Sequence, residues 1–117
     1  MPGTNLVSEA FLRKKFEILK SMKKGSKLTE DLKKAIIDTY GPRAVKALDA
    51  IENRGVIKRG NRWFVKGKSD EYEVVKSFCS CRDYVLNIVT EKVDVDMCYH
   101  ALAKRICELL DAYYVGG

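Results

Sequence analysis

His100 is the only histidine in a chain of 117 residues, and it stands two positions after Cys98. Cys79 and Cys81 repeat that offset, so a C-x-C pair and a C-x-H pair lie sixteen residues apart. Thiolate sulfur and imidazole nitrogen are the ligands zinc prefers, and three cysteines with one histidine complete a closed tetrahedral site. The spacing therefore predicts one Zn2+ held by Cys79, Cys81, Cys98 and His100. A Cys79–Cys81 disulfide is the poorer reading. It closes a very small, strained loop, whereas disulfides span Cα separations of about 5.5–6 Å. Unrelated buried cysteines leave the placement of the sole histidine unexplained. Cys107, the fourth cysteine, falls on a helical stripe with Ala103 and Leu110 and reads as a small buried hydrophobe.

The two-residue offsets constrain the backbone that must carry them. Residues i and i+2 share no face on a helix, and a regular strand cannot converge two such side chains with a second pair. Cys79 and Cys81 therefore need a bend at the end of a strand, with Ser80 as the small pivot. Cys98 and His100 suit a helix start, with Cys98 just outside the first turn and His100 within it. A structural site of four ligands leaves no open position for a catalytic water. No second histidine can act as a base, and no phosphate loop or GxSxG element is present. The expectation is a protein that is not an enzyme and has no catalytic residues.

Capping residues and apolar periodicity give the remaining elements. Ser8 and Thr29 are cap candidates for two helices, the first carrying Phe11, Leu12, Phe16, Ile18, Leu19 and Met22, the second Leu32, Ala35, Ile36 and Tyr40. Gly41-Pro42 ends the second and opens a third, lined by Ala44, Val45, Leu48 and Ile51. Val56-Ile57, a turn at Arg59-Gly60-Asn61-Arg62 and Trp63-Phe64-Val65 form a hairpin. A single strand is expected from Tyr72 into Cys79, then a short helical face at Tyr84, Val85, Ile88 and Val89, and a loop from Thr90 to Met97. Trp63 and Tyr72 read as core. A last helix starts at Cys98, and the Val115-Gly116-Gly117 tail is expected to fray.

Charge is uneven along the chain. Residues 1–70 carry seventeen Lys/Arg against eight Asp/Glu, and residues 71–117 carry five against eight, within an overall formal charge of +6. A basic half suggests nucleic acid, and a solvated Lys/Glu surface is the competing reading. Three helices followed by a basic hairpin is the element order of a winged helix. That reading puts DNA contacts, mostly to phosphates, on Arg43, Lys46, Lys58, Arg59, Arg62, Lys66 and Lys68. No apolar run approaches the ~20 residues of a membrane span. The N-terminus lacks the apolar stretch of a signal peptide, and reduced cysteines fit an intracellular, cytoplasmic or nucleoid-associated location, nuclear in a eukaryote.

The run RWFV, then EYEVV, CSC and CYHALA, resembles the SWIM zinc-binding domain: two strands, C-x-C, a variable stretch, and C-x-H opening a helix. Ala103 occupies the small position three after the histidine. Arg82 stands where proline is frequent after the second cysteine, and Tyr99 where lysine is frequent between the last two ligands. Overall size and the KALDAIENRGVIKRGNRWFV segment extend the likeness to the short SWIM subunit of the Shu recombination complex. The resemblance covers roughly residues 45–114. Element order and the resemblance together give an α+β fold: the order of helices and hairpin a winged-helix-like module at 1–56, the resemblance a ββα SWIM module at 57–117. The resemblance also implies an accessory protein of homologous recombination and DNA repair, binding DNA and a RecA-type recombinase paralogue, with a homodimer possible. The last helix is then the docking candidate, through Leu102, Ile106, Leu109, Leu110 and Tyr113, flanked by Tyr99 and Tyr114. Burial of that stripe by the N-terminal helices is the competing reading. A winged-helix transcriptional regulator stabilised by zinc is the alternative function.

Overall fold

Ser8 and Thr29 act as expected. Their hydroxyls accept hydrogen bonds from the amides of Phe11 and Leu32 at 3.1 and 3.2 Å, satisfying helix-start donors that lack intrahelical partners. They open α1 (Glu9–Ser21) and α2 (Glu30–Tyr40). Gly41, at φ 66, makes the sharp corner into α3 (Pro42–Glu52), with proline in its first turn. The computed structural model describes residues 7–25, 27–67, 70–111 and, for their backbone, 114–115. Lys68 and Tyr113 lie outside the described residues.

β1 (Val56–Arg59) and β2 (Arg62–Lys66) form the expected hairpin, with Arg59 opposite Arg62 and Gly60 at φ 63 in the two-residue turn. β3 (Glu71–Val75) continues the sheet antiparallel to β2. The single strand expected from Tyr72 to Cys79 is instead a second tight hairpin. The chain reverses at Lys76-Ser77, and β4 (Phe78–Cys79) returns antiparallel to β3, pairing Val74 with Cys79. Lys76 takes φ 58, a left-handed conformation usually left to glycine or asparagine, so its sequence carries no turn signal. After Cys81 the chain forms a π-helical turn (Tyr84–Ile88), then a loop, then α4 (Tyr99–Leu110). β5 (Tyr114–Val115) pairs parallel to β1, so Val115 lies opposite Lys58 and is not a frayed end. The sheet order is β4-β3-β2-β1-β5.

α4 lies across the sheet, and α3 packs on α4, so the helical half and the sheet share one core running from Phe11 to Leu110. Two loop carboxylates strengthen that union. Asp94 accepts from the backbone amide and hydroxyl of Ser8, and Asp96 accepts from the Tyr40 hydroxyl at 2.8 Å and pairs with Lys15. The loop leading to Cys98 is thereby fastened to α1 and α2. Three residues assigned to apolar helix faces, Leu12, Phe16 and Val45, are exposed at 45%, 61% and 53%.

Candidate metal centre

The four ligand candidates arrive from two directions. Cys79 ends β4, Ser80 turns the chain, and Cys81 precedes the π-helical turn. Cys98 is the N-cap of α4, and His100 lies in its first turn. Their ligand atoms all lie within 4.8 Å of one another, and all four residues are buried. This is the bend-plus-helix-start geometry that the two-residue offsets require.

Two backbone amides already treat the sulfurs as acceptors. The Tyr84 amide points at Cys81 Sγ from 3.4 Å, and the Ala101 amide points at Cys98 Sγ from 3.5 Å. The second is an N-cap bond, so Cys98 also sits at the positive end of the α4 dipole, which favours a thiolate. The thiols share charge unequally. Hydrogen bonds from Cys79, then Cys98, hold the Cys81 thiol well below its ordinary range. Its partners give up their protons less readily. Cys79 is pushed up to about 11 by its bond to Cys81, and Cys98 is raised by Cys79, Cys81 and burial. Three sulfurs this close, each hydrogen-bonded to another, form a donor set that a dication would join.

His100 supplies the sharpest test of fit. It is 4% exposed, and neither Nδ1 nor Nε2 has a hydrogen-bond partner among the described residues. Buried polar atoms without partners are rare and costly. A metal on one nitrogen removes part of that deficit. The ring is fixed by Tyr99 and Tyr72, with centroids 3.9 and 4.7 Å away. Gly67 comes so close that a Cβ there would lie 3.1 Å from His100 Nε2. The donor set, its burial and this unpartnered imidazole fit zinc.

Asp83 anchors the cysteine loop to the helical half. Arg43 of α3 grips it with two bonds, 2.8 Å from Nε and 2.7 Å from Nη2, and Asn87 adds a third at 2.8 Å. Arg43, then Asn87, hold the Asp83 carboxyl below its usual range against the opposing effect of burial. Charge and the winged-helix element order put Arg43 on DNA, whereas its guanidinium here holds the cysteine loop. No local pattern links positions 43 and 83, though Asp83 and Asn87 stand at helical i, i+4 spacing.

A groove of about 730 Å³ opens beside the centre, between α3 and the β2–β3 connection. Lys46, Lys66, Arg82, Asp49, Tyr72, Tyr99 and His100 are among its lining residues. Lys46 lies 5.8 Å from the Tyr99 ring, and Lys58 lies 5.5 Å from Trp63. Arg59 and Arg62 lie over Phe64 and form ion pairs with Glu71 and Glu73 on the same sheet face. No sequence motif marks this groove. The stripe assigned to a partner has a different fate from docking: Leu102, Ile106 and Leu110 are 2%, 1% and 4% exposed, packed into the shared core, with Leu109 half-buried. Cys107 is buried too, and burial pushes its thiol up to about 12.

The chain is 30% identical over 105 residues to an uncharacterized protein of Archaeoglobus fulgidus, an alignment spanning 85% of this chain and 87% of the archaeal one. It belongs to that protein's family. No protein-family model matches the chain, and no solved structure matches it.

Proposed function

We propose that this protein is a structural-zinc module of the SWIM type, serving as a non-enzymatic accessory of homologous recombination and DNA repair. The observation that carries the zinc reading is the buried Cys3His cluster, with ligand atoms within 4.8 Å and an imidazole that has no hydrogen-bond partner among the described residues. The SWIM reading is supported by order: strands, a C-x-C at a strand end, and a C-x-H that opens a helix. Zinc holds the β3–β4 hairpin, the π-helical turn and the start of α4 together, and the exposed surface around them does the binding.

In this reading DNA is contacted through phosphates by Lys46, Lys58, Lys66 and Arg82, along the groove rim and the β1–β2 hairpin. Arg43, Arg59 and Arg62 contribute less, because carboxylates already hold their guanidinium groups. A RecA-type recombinase paralogue docks on a surface other than the buried stripe of α4. The experiment measures binding of labelled duplex and single-stranded oligonucleotides of unrelated sequence across a salt series. Affinity independent of sequence that falls with a log–log slope of about 0.9 per neutralised phosphate on duplex DNA supports the reading. Absence of binding at low salt overturns its DNA part. Strong preference for one sequence favours the winged-helix regulator instead.

A further inference from the structure

Lys104 is a buried lysine, 5% exposed, on the same helix as two of the ligand candidates. Lysine is seldom buried unless its ammonium is fully engaged. Here it is. Lys104 Nζ donates to the Lys76 carbonyl at 3.2 Å and to Glu108 Oε1 at 3.2 Å, and lies 5.8 Å from the Trp63 ring. The ammonium's three hydrogens therefore have a carbonyl, a carboxylate and a ring face to meet.

The carbonyl it chooses is informative. Lys76 is the left-handed residue, φ 58, of the two-residue turn that returns the chain into β4 and so delivers Cys79. A side-chain-bearing residue adopts that conformation only when its surroundings enforce it. Lys104 stands four residues after His100, one helical turn further along α4. Its bond to Lys76 thus runs directly between the element carrying Cys98 and His100 and the element carrying Cys79.

We infer that Lys104 is a positioning residue of the metal centre, fixing the β3–β4 hairpin against α4 so that the two ligand pairs face each other before metal arrives. This rests on the zinc reading. Residues that orient ligands without touching the metal commonly change affinity by about 10–100-fold when lost. The test is zinc affinity by chelator competition, with the Co2+ absorption spectrum as a report on ligand geometry. Lys104→Met is expected to weaken zinc binding about 10–100-fold and to alter the Co2+ spectrum. Lys104→Arg, which keeps a cationic donor, is expected to recover most of the loss. Ile36→Ala, buried in α2, is the control for general destabilisation and is expected to leave affinity within about threefold. If Lys104→Met fails to fold, Glu108→Gln removes the ammonium's carboxylate anchor and is expected to cost a smaller but measurable part of the affinity.

Wild-type affinity in Lys104→Met, or an equal loss in Ile36→Ala, overturns the inference. In the Glu108→Gln experiment, an unchanged affinity does so. A wild-type protein that binds no zinc overturns the zinc reading itself, which separates the two failures.

Discussion

Ile106→Ala distinguishes a core helix from a docking helix. Ile106 is 1% exposed on the face of α4 that meets the sheet and α3. Truncation removes the carbons beyond Cβ, each worth about 0.8 kcal/mol of transfer free energy. The unfilled cavity adds to that, and buried isoleucine-to-alanine changes cost about 2–5 kcal/mol in total. In a domain of this size each kcal/mol lowers the melting temperature by roughly 4 °C or more, so a drop of about 10 °C or more is expected. Leu109→Ala, at a half-buried position on the same helix, should lose less than half as much. The assay is calorimetric melting with saturating zinc, joined to a zinc count on each variant. Melting within about 3 °C of wild type refutes the core assignment. The stripe then faces a partner after all.

Other substitutions test the surroundings of the site. Zinc needs every thiolate, yet hydrogen bonding to Cys81 keeps Cys79 at about 11, and Cys98 is also raised. Near neutral pH zinc must therefore displace two thiol protons, so affinity should rise with pH by up to about two log units per pH unit, and a flat profile contradicts this. Cys107→Ser should leave zinc content unchanged, and the Cys107 thiol, pushed up to about 12 by burial, should resist alkylation in the folded protein. Arg43→Ala strands the part-buried Asp83 and should cost about 1–3 kcal/mol, while DNA affinity falls less than in Lys66→Glu. Gly67→Ala brings a methyl 3.1 Å from His100 Nε2 and should weaken zinc binding without loss of the folded state, read by chelator competition and far-ultraviolet circular dichroism.

The Cys3His cluster was legible because zinc chemistry restricts residue types and the offsets restrict the backbone. The helix starts at Ser8 and Thr29, the Gly41-Pro42 corner and the Gly60 hairpin were legible because each is a local effect of one or two residues. The turn at Lys76-Ser77 was not. Its unusual backbone is stabilised by Lys104, far along the chain, and neither turn residue announces it. Ion pairing was illegible for the same reason. Arg43 meets Asp83 across 40 positions, and Arg59 and Arg62 meet Glu71 and Glu73 only once the sheet register is set. Net charge marked these arginines as a surface for phosphate, whereas the fold gives each a carboxylate. The apolar stripe of α4 carried no sign of its destination, since core and interface select the same residues. Packing of α3 and the sheet on α4 decided it.

Zinc K-edge X-ray absorption on the protein as purified tests the central claim most directly. The expected result is one zinc per chain with three sulfur ligands near ~2.3 Å and one nitrogen near ~2.0 Å. Replacing His100 should remove the nitrogen shell while Cys107→Ser changes nothing. Purified protein that holds no zinc, or a zinc shell dominated by oxygen, contradicts a structural Cys3His site.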